Sequence, residues 1–247
     1  MDYDNNRNYR ILIPTLDGNI LNFEASGSQV TGWGYKSNGV PIICSFKHLS
    51  ISGKDYIVSA DAEGKIHALN RKGEERLSLI TTVALSPFYT KKSKYLSESF
   101  ILTQDTGGVT KVFFDDTKET LRIPDVNLDT RFFAIEMDND NNFEYVLIED
   151  NEVRVLNNDL KELVSFRPDS AISSSAYGYR FTNGEIELGF TSAAANEIFL
   201  IDRSGNLHEG FPLYGSSPFA IGDLNKDGQM ELIVGSKDGH IYAYGLE

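Results

Sequence analysis

The sequence predicts an all-β fold, a β-propeller of six repeats of about 44 residues with four-stranded antiparallel blades. The first observation is one pattern met six times: an Asx-rich loop, a short apolar run, a turn bearing Gly or Asn, and a second, alternating run. Regular spacing is the second. The anchors before the apolar runs, Arg10, Asp55, Ser99, Glu144, Glu187 and Glu231, lie 45, 44, 45, 43 and 44 residues apart. Third, no window sustains an apolar period of helical type, so helices have no place to form. A sandwich also uses short strands, but it does not repeat one turn pattern at near-constant spacing.

The first strand of each repeat follows its anchor: Ile11-Leu-Ile, Tyr56-Ile-Val, Phe100-Ile-Leu, Tyr145-Val-Leu-Ile, Leu188-Gly-Phe and Leu232-Ile-Val. These runs are rich in β-branched and aromatic residues, which suit a pleated, packed surface. Turns come next, at Asp17-Gly18, Glu63-Gly64, Gly107-Gly108, Asp150-Asn151, Ala195-Asn196 and Asp238-Gly239. Gly and Asn tolerate the positive φ that tight hairpins require. The second strands are Asn19 to Phe23, Lys65 to Leu69, Val109 to Phe113, Glu152 to Leu156, Glu197 to Ile201 and His240 to Tyr244. Further turns at Gly27, Gly73, Asp115-Asp116, Asn157-Asn158 and Gly205 lead to third strands ending near Trp33, Leu79, Ile123, Phe166 and Phe211. A fourth strand, as in Ser217 to Gly222, enters the next loop.

The repeats run approximately over 2–46, 47–90, 91–135, 136–178, 179–222 and 223–247, and the chain reads as a single propeller domain over 1–247 without a linker. A blade cannot bury both faces of its sheet alone, so its neighbours supply the core. Two blades look one strand short. Either the ring closes imperfectly, or residues upstream of Met1 supply strands, and the start Met1-Asp2-Tyr3-Asp4, already inside a repeat loop, favours the second.

A hydrophobic fraction of 40% with 11% aromatic residues fits globular burial, and no apolar run is long enough to cross a bilayer. The first ten residues lack the basic start and apolar stretch of a secretory signal. Net charge −13, without a Lys/Arg cluster, excludes nucleic acid as the expected partner. Arg71-Lys-Gly-Glu-Glu-Arg76 reads as a solvated turn and Lys91-Lys-Ser-Lys94 as an exposed loop. The single cysteine, Cys44, cannot form an internal disulfide and reads as a small buried hydrophobe.

The chemistry that stands out is that of a hard cation. Asp223, Asn225, Asp227 and Glu231 place side-chain oxygens at positions 1, 3, 5 and 9 of one loop, with Gly228 at position 6. Ca²⁺ takes six to eight oxygen ligands, and such a loop presents several. It is no EF-hand, because Val234 stands at position 12 and strands flank it. Glu136, Asp138, Asp140 and Glu144 repeat the arrangement, with Asn141 in place of the glycine. Asp2, Asp4 and Asn6 open a third copy, which ends on Arg10 and is expected to hold no metal. Asx-turn formation alone is the competing explanation of each loop.

Catalytic constellations are scarce. His48, His67, His208 and His240 fall without metal-ligand spacing, and His67 and His240 occupy strand positions suited to structural histidines. No Ser/His/Asp or Cys/His order is supported.

The segment Asp223-Leu-Asn-Lys-Asp-Gly-x-x-Glu-Leu-Ile-Val-Gly235 resembles the FG-GAP or VCBS propeller repeat, in several members of which the acidic loop holds Ca²⁺. Asp238-Gly-His-Ile-Tyr-Ala-Tyr244 and Glu63-Gly-Lys-Ile-His-Ala-Leu-Asn-Arg-Lys-Gly73 are similar to the quinoprotein repeat, but the lone Trp33 and the lack of a vicinal cysteine pair depart from those dehydrogenases. Ser59-x-Asp61-x-Glu-Gly64 is similar to a sialidase Asp box with one residue inserted and no arginine triad. End to end, the chain resembles the C-terminal propeller of large exported proteins of Gram-negative bacteria, which implies a periplasmic or extracellular location and no particular activity.

The expected function is a non-catalytic module that binds a protein or glycan at the cell envelope, with structural Ca²⁺ in its loops. The alternatives are a glycan hydrolase or lyase with its site at the channel mouth, and a purely structural domain of a longer envelope protein.

Overall fold

The computed structural model describes residues 1–83, 88–105, 107–124, 126, 127, 129–140 and 142–246. Its residues fall into two compact units, Met1–Val126 and Asn127–Glu247.

The first unit contains three antiparallel sheets in chain order. The first pairs β1 (Arg10–Pro14) with β2 (Ile20–Glu24). The second is the meander β3 (Lys47–Ile51), β4 (Lys54–Ala60), β5 (Ile66–Leu69) and β6 (Glu75–Leu77). The third is β7 (Tyr89–Lys91), β8 (Phe100–Asp105), β9 (Gly108–Phe113) and β10 (Lys118–Arg122). One short 3-10 turn, Leu96–Glu98, precedes β8.

The second unit repeats the plan. Its sheets are β11 (Arg131–Ile135), β12 (Glu144–Glu149), β13 (Glu152–Leu156) and β14 (Glu162–Phe166); β15 (Tyr177–Arg180), β16 (Ile186–Ser192), β17 (Glu197–Ile201) and β18 (Leu213–Tyr214); and β19 (Phe219–Gly222), β20 (Met230–Gly235) and β21 (Ile241–Leu246). Among the described residues the first sheet has two strands, the last has three and the others four. The strands entering and leaving the Glu136 and Asp223 loops pair with each other, β11 with β12 and β19 with β20. These two acidic loops are therefore each a connection inside one sheet, held at both ends by ladder hydrogen bonds.

Turn chemistry follows the residues. Gly18, Gly64, Gly107, Asp150, Asn196 and Gly239 all take positive φ in the first turns. In the later turn of the fourth sheet the left-handed residue is Leu160 (φ 63°), while Asn157 accepts the N–H groups of Asp159 and Lys161 through Oδ1. Gly64 is required twice over. Its φ is +80°, and an added Cβ would stand 2.3 Å from the carbonyl oxygen of Val83.

Two expected strands differ. The segment reaching Trp33 makes only one bridge, Phe23 to Gln29: the turn at Gly27 returns the chain to β2, and a second turn, with Gly32 at positive φ and the Trp33 N–H on the Val30 carbonyl, ends the pairing. Trp33 instead donates its indole N–H to the Ile20 carbonyl at 2.7 Å. The strand expected to end near Phe211 makes a single bridge, Ile201 to Leu207, turns through the bond from the Phe211 N–H to the His208 carbonyl, and resumes as β18.

Within each unit, consecutive sheets bury one another's faces. Tyr56, Val58, Ile66, Ile101, Val112 and Phe114 form a core from the second and third sheets, with Tyr56 stacked on Phe114 at 6.1 Å. Val146, Ile148, Val153, Leu188, Phe190 and Phe199 join the fourth and fifth sheets, and Phe166 meets Phe190 and Phe199 at 5.5 and 5.7 Å. Ile198, Leu200, Phe219, Leu232 and Val234 join the fifth and sixth. Strands covered on both sides, such as β12 and β16, are buried along nearly their whole length, whereas β1 and β21 alternate between covered and open positions. Gly189 serves this packing, since an added Cβ would lie 2.5 Å from the Tyr179 ring and 2.6 Å from the Phe219 ring. No helix among the described residues is long and apolar enough to cross a membrane.

Candidate functional site

The three acidic loops share one backbone device. A side-chain oxygen at position 5 accepts the N–H two residues on: Asn6 from Asn8, Asp140 from Asn142, Asp227 from Gln229. Position 4 is left-handed in all three, at Asn5 (φ 53°), Asn139 (φ 62°) and Lys226 (φ 65°). Asn and Asp side chains bonding forward in this way make Asx turns. Asn141, expected to replace the loop glycine, lies outside the described residues.

The loops differ at position 1, and that difference decides their electrostatics. Asp223 spends both oxygens on the backbone, accepting Lys226 N–H at 2.6 Å and Gly228 N–H at 3.1 Å. Asp2 does the same with Asn6 and Arg7. Glu136 is one methylene longer and makes no such bond; its Oε1 is buried without a hydrogen-bond partner. Carboxylate oxygens of Glu136, Asp138 and Asp140 lie within 4.8 Å of one another. Asp138 accepts the Asp140 N–H and Asp140 accepts the Asn142 N–H and side-chain amide, but the gathered negative charge is still costly, and a divalent cation offsets such charge directly.

Glu144 and Glu231 close their loops identically. Glu144 Oε2 accepts the Met137 N–H at 2.7 Å, and Glu231 Oε2 accepts the Leu224 N–H at 2.8 Å. Burial pushes the Glu144 carboxyl above its ordinary range; the Met137 N–H opposes this, and the charges of Asp138, Asp140 and Glu136 add to it. In the other loop the Asn225 amide donates to Asp227 at 2.9 Å and to Glu231 at 3.2 Å, where in the Glu136 loop the Asn142 amide reaches only Asp140, at 2.9 Å. The structure thus gathers Glu136, Asp138 and Asp140 as a charge cluster, sets Glu144 behind them as a clamp, and knits Asp223, Asn225, Asp227 and Glu231 together by hydrogen bonds.

In two loops that lack this pattern, a basic side chain meets the anchor. Asp55 is met by Arg71 Nε at 2.6 Å and His48 Nε2 at 2.8 Å, and Arg71 also holds Asp4 at 2.8 Å. Arg71 is therefore more than the solvated turn residue the sequence suggests. Glu187 faces His208 Nδ1 at 2.9 and 3.1 Å. The repeat spacing marked Glu187, but the partner's distance in sequence hid His208.

Glu187 and His208 sit in a groove of the second unit flanked by both acidic loops. One cavity of about 530 Å³ reaches Met137, Asp138 and Asn139; its neighbour of about 620 Å³ reaches Gly228, Gln229 and Met230. Asn183, Glu185 and Glu187 line both.

The remaining histidines divide. His67 is buried with carboxylates at both ring nitrogens, as a structural histidine should be. His240 is not a strand residue; it lies in the turn before β21, 73% exposed. Cys44 is half-buried rather than buried, packed at the edge of the first unit's core, and burial raises its thiol.

These features define a class: an all-β chain of consecutive four-stranded meanders carrying acidic connections, the architecture of β-propeller-like proteins. No protein-family model matches the chain, and no curated protein matches it in sequence. Solved structures do match. Dihydro-heme d1 dehydrogenase NirN in complex with DHE superposes with a TM-score of 0.61 at 13% identity, over 96% of this chain and 53% of that one. BBS1N in complex with ARL6DN gives 0.61 at 11%, over 96% and 74%. Virginiamycin B lyase from Staphylococcus aureus gives 0.54 at 13%, over 98% and 82%. The chain thus spans about half the length of the first of these structures. At such identities the likeness carries the fold alone, and the set mixes enzymes with a protein caught in a protein complex.

Proposed function

We propose that this chain is a non-catalytic, Ca²⁺-stiffened binding module of the FG-GAP or VCBS type that engages a protein or glycan at the cell envelope. The observation that carries the metal is the convergence of Glu136, Asp138 and Asp140 within 4.8 Å, with Glu136 Oε1 buried and lacking a donor. Those three side chains fit a hard oxygen-seeking cation, and Glu144, already tied to the Met137 N–H, orients the loop around it. The Asp223 loop is the second candidate, where an entering ion displaces the Asn225 amide from Asp227 and Glu231. The envelope location rests on the resemblance to exported propellers.

Binding is favoured over turnover because the polar groups of the groove are mostly engaged with one another: Glu185 accepts the Asn183 amide at 2.6 Å, and Asp202 accepts the N–H groups of Ser204 and Asn206. A paired acid and base facing open space is what glycoside hydrolysis requires.

Scanning calorimetry of the chain with Ca²⁺ and with chelator tests the metal. A ligand of the native state raises the melting temperature, by a free energy of about 2.7 kcal/mol at a hundredfold excess over its dissociation constant. Identical melting in the two conditions sinks the Ca²⁺ claim. Release of reducing ends or unsaturated products from a polysaccharide replaces the module with an enzyme.

A further inference from the structure

The groove holds a histidine of which the fold uses only one nitrogen. His208 is fixed on three sides. Its Nδ1 faces both oxygens of Glu187, so Nδ1 carries the hydrogen and donates it. Phe181 stacks on the ring at 5.4 Å, and Phe211 meets it edge-on at 5.6 Å. The other nitrogen, Nε2, has no partner among the described residues, and the side chain, 13% exposed, lines the cavity of about 620 Å³. His67 supplies the contrast: a histidine kept for structure has a carboxylate at each nitrogen. At His208 one nitrogen is tethered and the other is kept as an acceptor.

The surroundings select the donor. Phe181 and Met230 give the cavity an apolar side, and Thr182, Asn183 and Gln229 give it neutral hydrogen-bonding groups. Anions are repelled by Glu185 and Glu187. Cationic side chains find those carboxylates already engaged, Glu185 by Asn183 and Glu187 by His208. A neutral, hydroxyl-rich ring with one apolar face answers every wall.

We propose that this cavity is a subsite for a neutral glycan residue, with His208 Nε2 accepting a hydrogen bond from a sugar hydroxyl while the apolar face of the sugar lies against Phe181 and Met230. This rests on the binding-module reading and specifies its ligand.

The test is isothermal titration calorimetry of the full chain with Ca²⁺ present. The probes are neutral cello- and xylo-oligosaccharides, oligogalacturonates, and an Arg/Lys-rich peptide. Neutral oligosaccharide is expected to bind and oligogalacturonate not to. His208→Asn keeps a donor toward Glu187 but deletes Nε2, and is expected to weaken binding roughly tenfold in a protein that still folds, its melting temperature lowered by the lost contacts to Phe181 and Phe211. Nitrogen NMR of the wild-type imidazole provides a readout that needs no variant: the Nδ1–H tautomer, with the Nε2 resonance moving on addition of sugar. Equal affinity of wild type and His208→Asn, or an Nε2 resonance that stays put, overturns the subsite and leaves glycan binding intact. Binding of the basic peptide alone overturns the subsite and leaves a protein-binding module. No binding in any arm overturns both.

Discussion

His67 Nε2 lies 3.0 Å from Asp61 Oδ2, and neither side chain is more than 3% exposed. The second ring nitrogen faces Glu75 Oε1 at 2.8 Å. A neutral imidazole has one N–H, so two carboxylates at two nitrogens call for the cation. Burial alone would lower the histidine's pKa, but Glu75 and Asp61 outweigh it and raise it above 6.5, against a small opposing effect of Lys65. Burial would raise Asp61, yet His67 and the N–H groups of Lys65 and Glu63, with the Asn38 amide, hold it below 3.8. The remaining group against the ring is Tyr35, edge-on at 6.1 Å.

The pH dependence of stability follows in sign. A raised histidine contributes fully below its unfolded value and loses that contribution as pH climbs through the folded one. Asp61 contributes above 3.8 and loses its part as pH falls through its lower folded value. The clamp is therefore strongest between the two ordinary values, 3.8 and 6.5. His67→Gln should narrow its gap to wild type in melting temperature as pH is raised from about 5.5 to about 9. Parallel curves across that range would show that the imidazole is neutral. His67→Ala, which strands Asp61, should cost roughly 3 kcal/mol in denaturant unfolding near pH 6.

The Glu136 and Asp223 loops carry opposite expectations in their first residues. Glu136→Gln removes the charge of a carboxylate whose Oε1 has no partner, so it should diminish the Ca²⁺-dependent rise in melting temperature without lowering the metal-free value. Asp223→Ala releases the N–H groups of Lys226 and Gly228 and should cost about 1 kcal/mol in chelator. Calorimetry of the two variants in both conditions checks this, and a Glu136→Gln protein that still responds fully to Ca²⁺ moves the site elsewhere.

Packing should grade stability by position in the stack. Ile148 is 0% exposed in the core of the fourth and fifth sheets, whereas Ile241 is 78% exposed on β21. Ile148→Ala is expected to cost about 3 kcal/mol. Ile241→Ala should stay within about 0.5 kcal/mol of wild type. Urea titrations of both variants measure the contrast, and equal losses would mean that β21 is covered in solution.

Gly64→Ala combines strain and collision. Positive φ in a residue with a Cβ costs about 1–3 kcal/mol. The backbone oxygen of Val83 at 2.3 Å from the new carbon cannot rotate aside, since the Val83 N–H is itself bonded to the Gly64 carbonyl. A loss at or above that range is expected in the same titrations. A neutral effect would require the turn to rearrange, visible as loss of the bridge between Lys65 and Thr82 in amide exchange.

Strand positions were legible because a sheet buried on both faces needs unbroken apolar runs. Tyr145 to Ile148 and Leu188 to Phe190 show that need directly in their letters. Trp33 and Phe211 misled for the opposite reason: an aromatic residue can be buried by packing on a sheet without pairing into it. The acidic loops were legible too, since forward Asx bonds are local and span two residues. Arg71 was not, because its bonds to Asp4 and Asp55 cross 67 and 16 residues.

The amino-acid order by itself determined the period, the all-β class, the hairpin turns and the three Asx loops, all of which depend on neighbours within a few residues. Tertiary structure decided which loop buries a carboxylate oxygen without a donor, which anchors receive Arg71 or His208, and which histidine nitrogen is left open to a cavity. Charge and hydrogen-bond satisfaction are settled by whatever group arrives across the fold, and that group's place in the sequence carries no mark of its arrival.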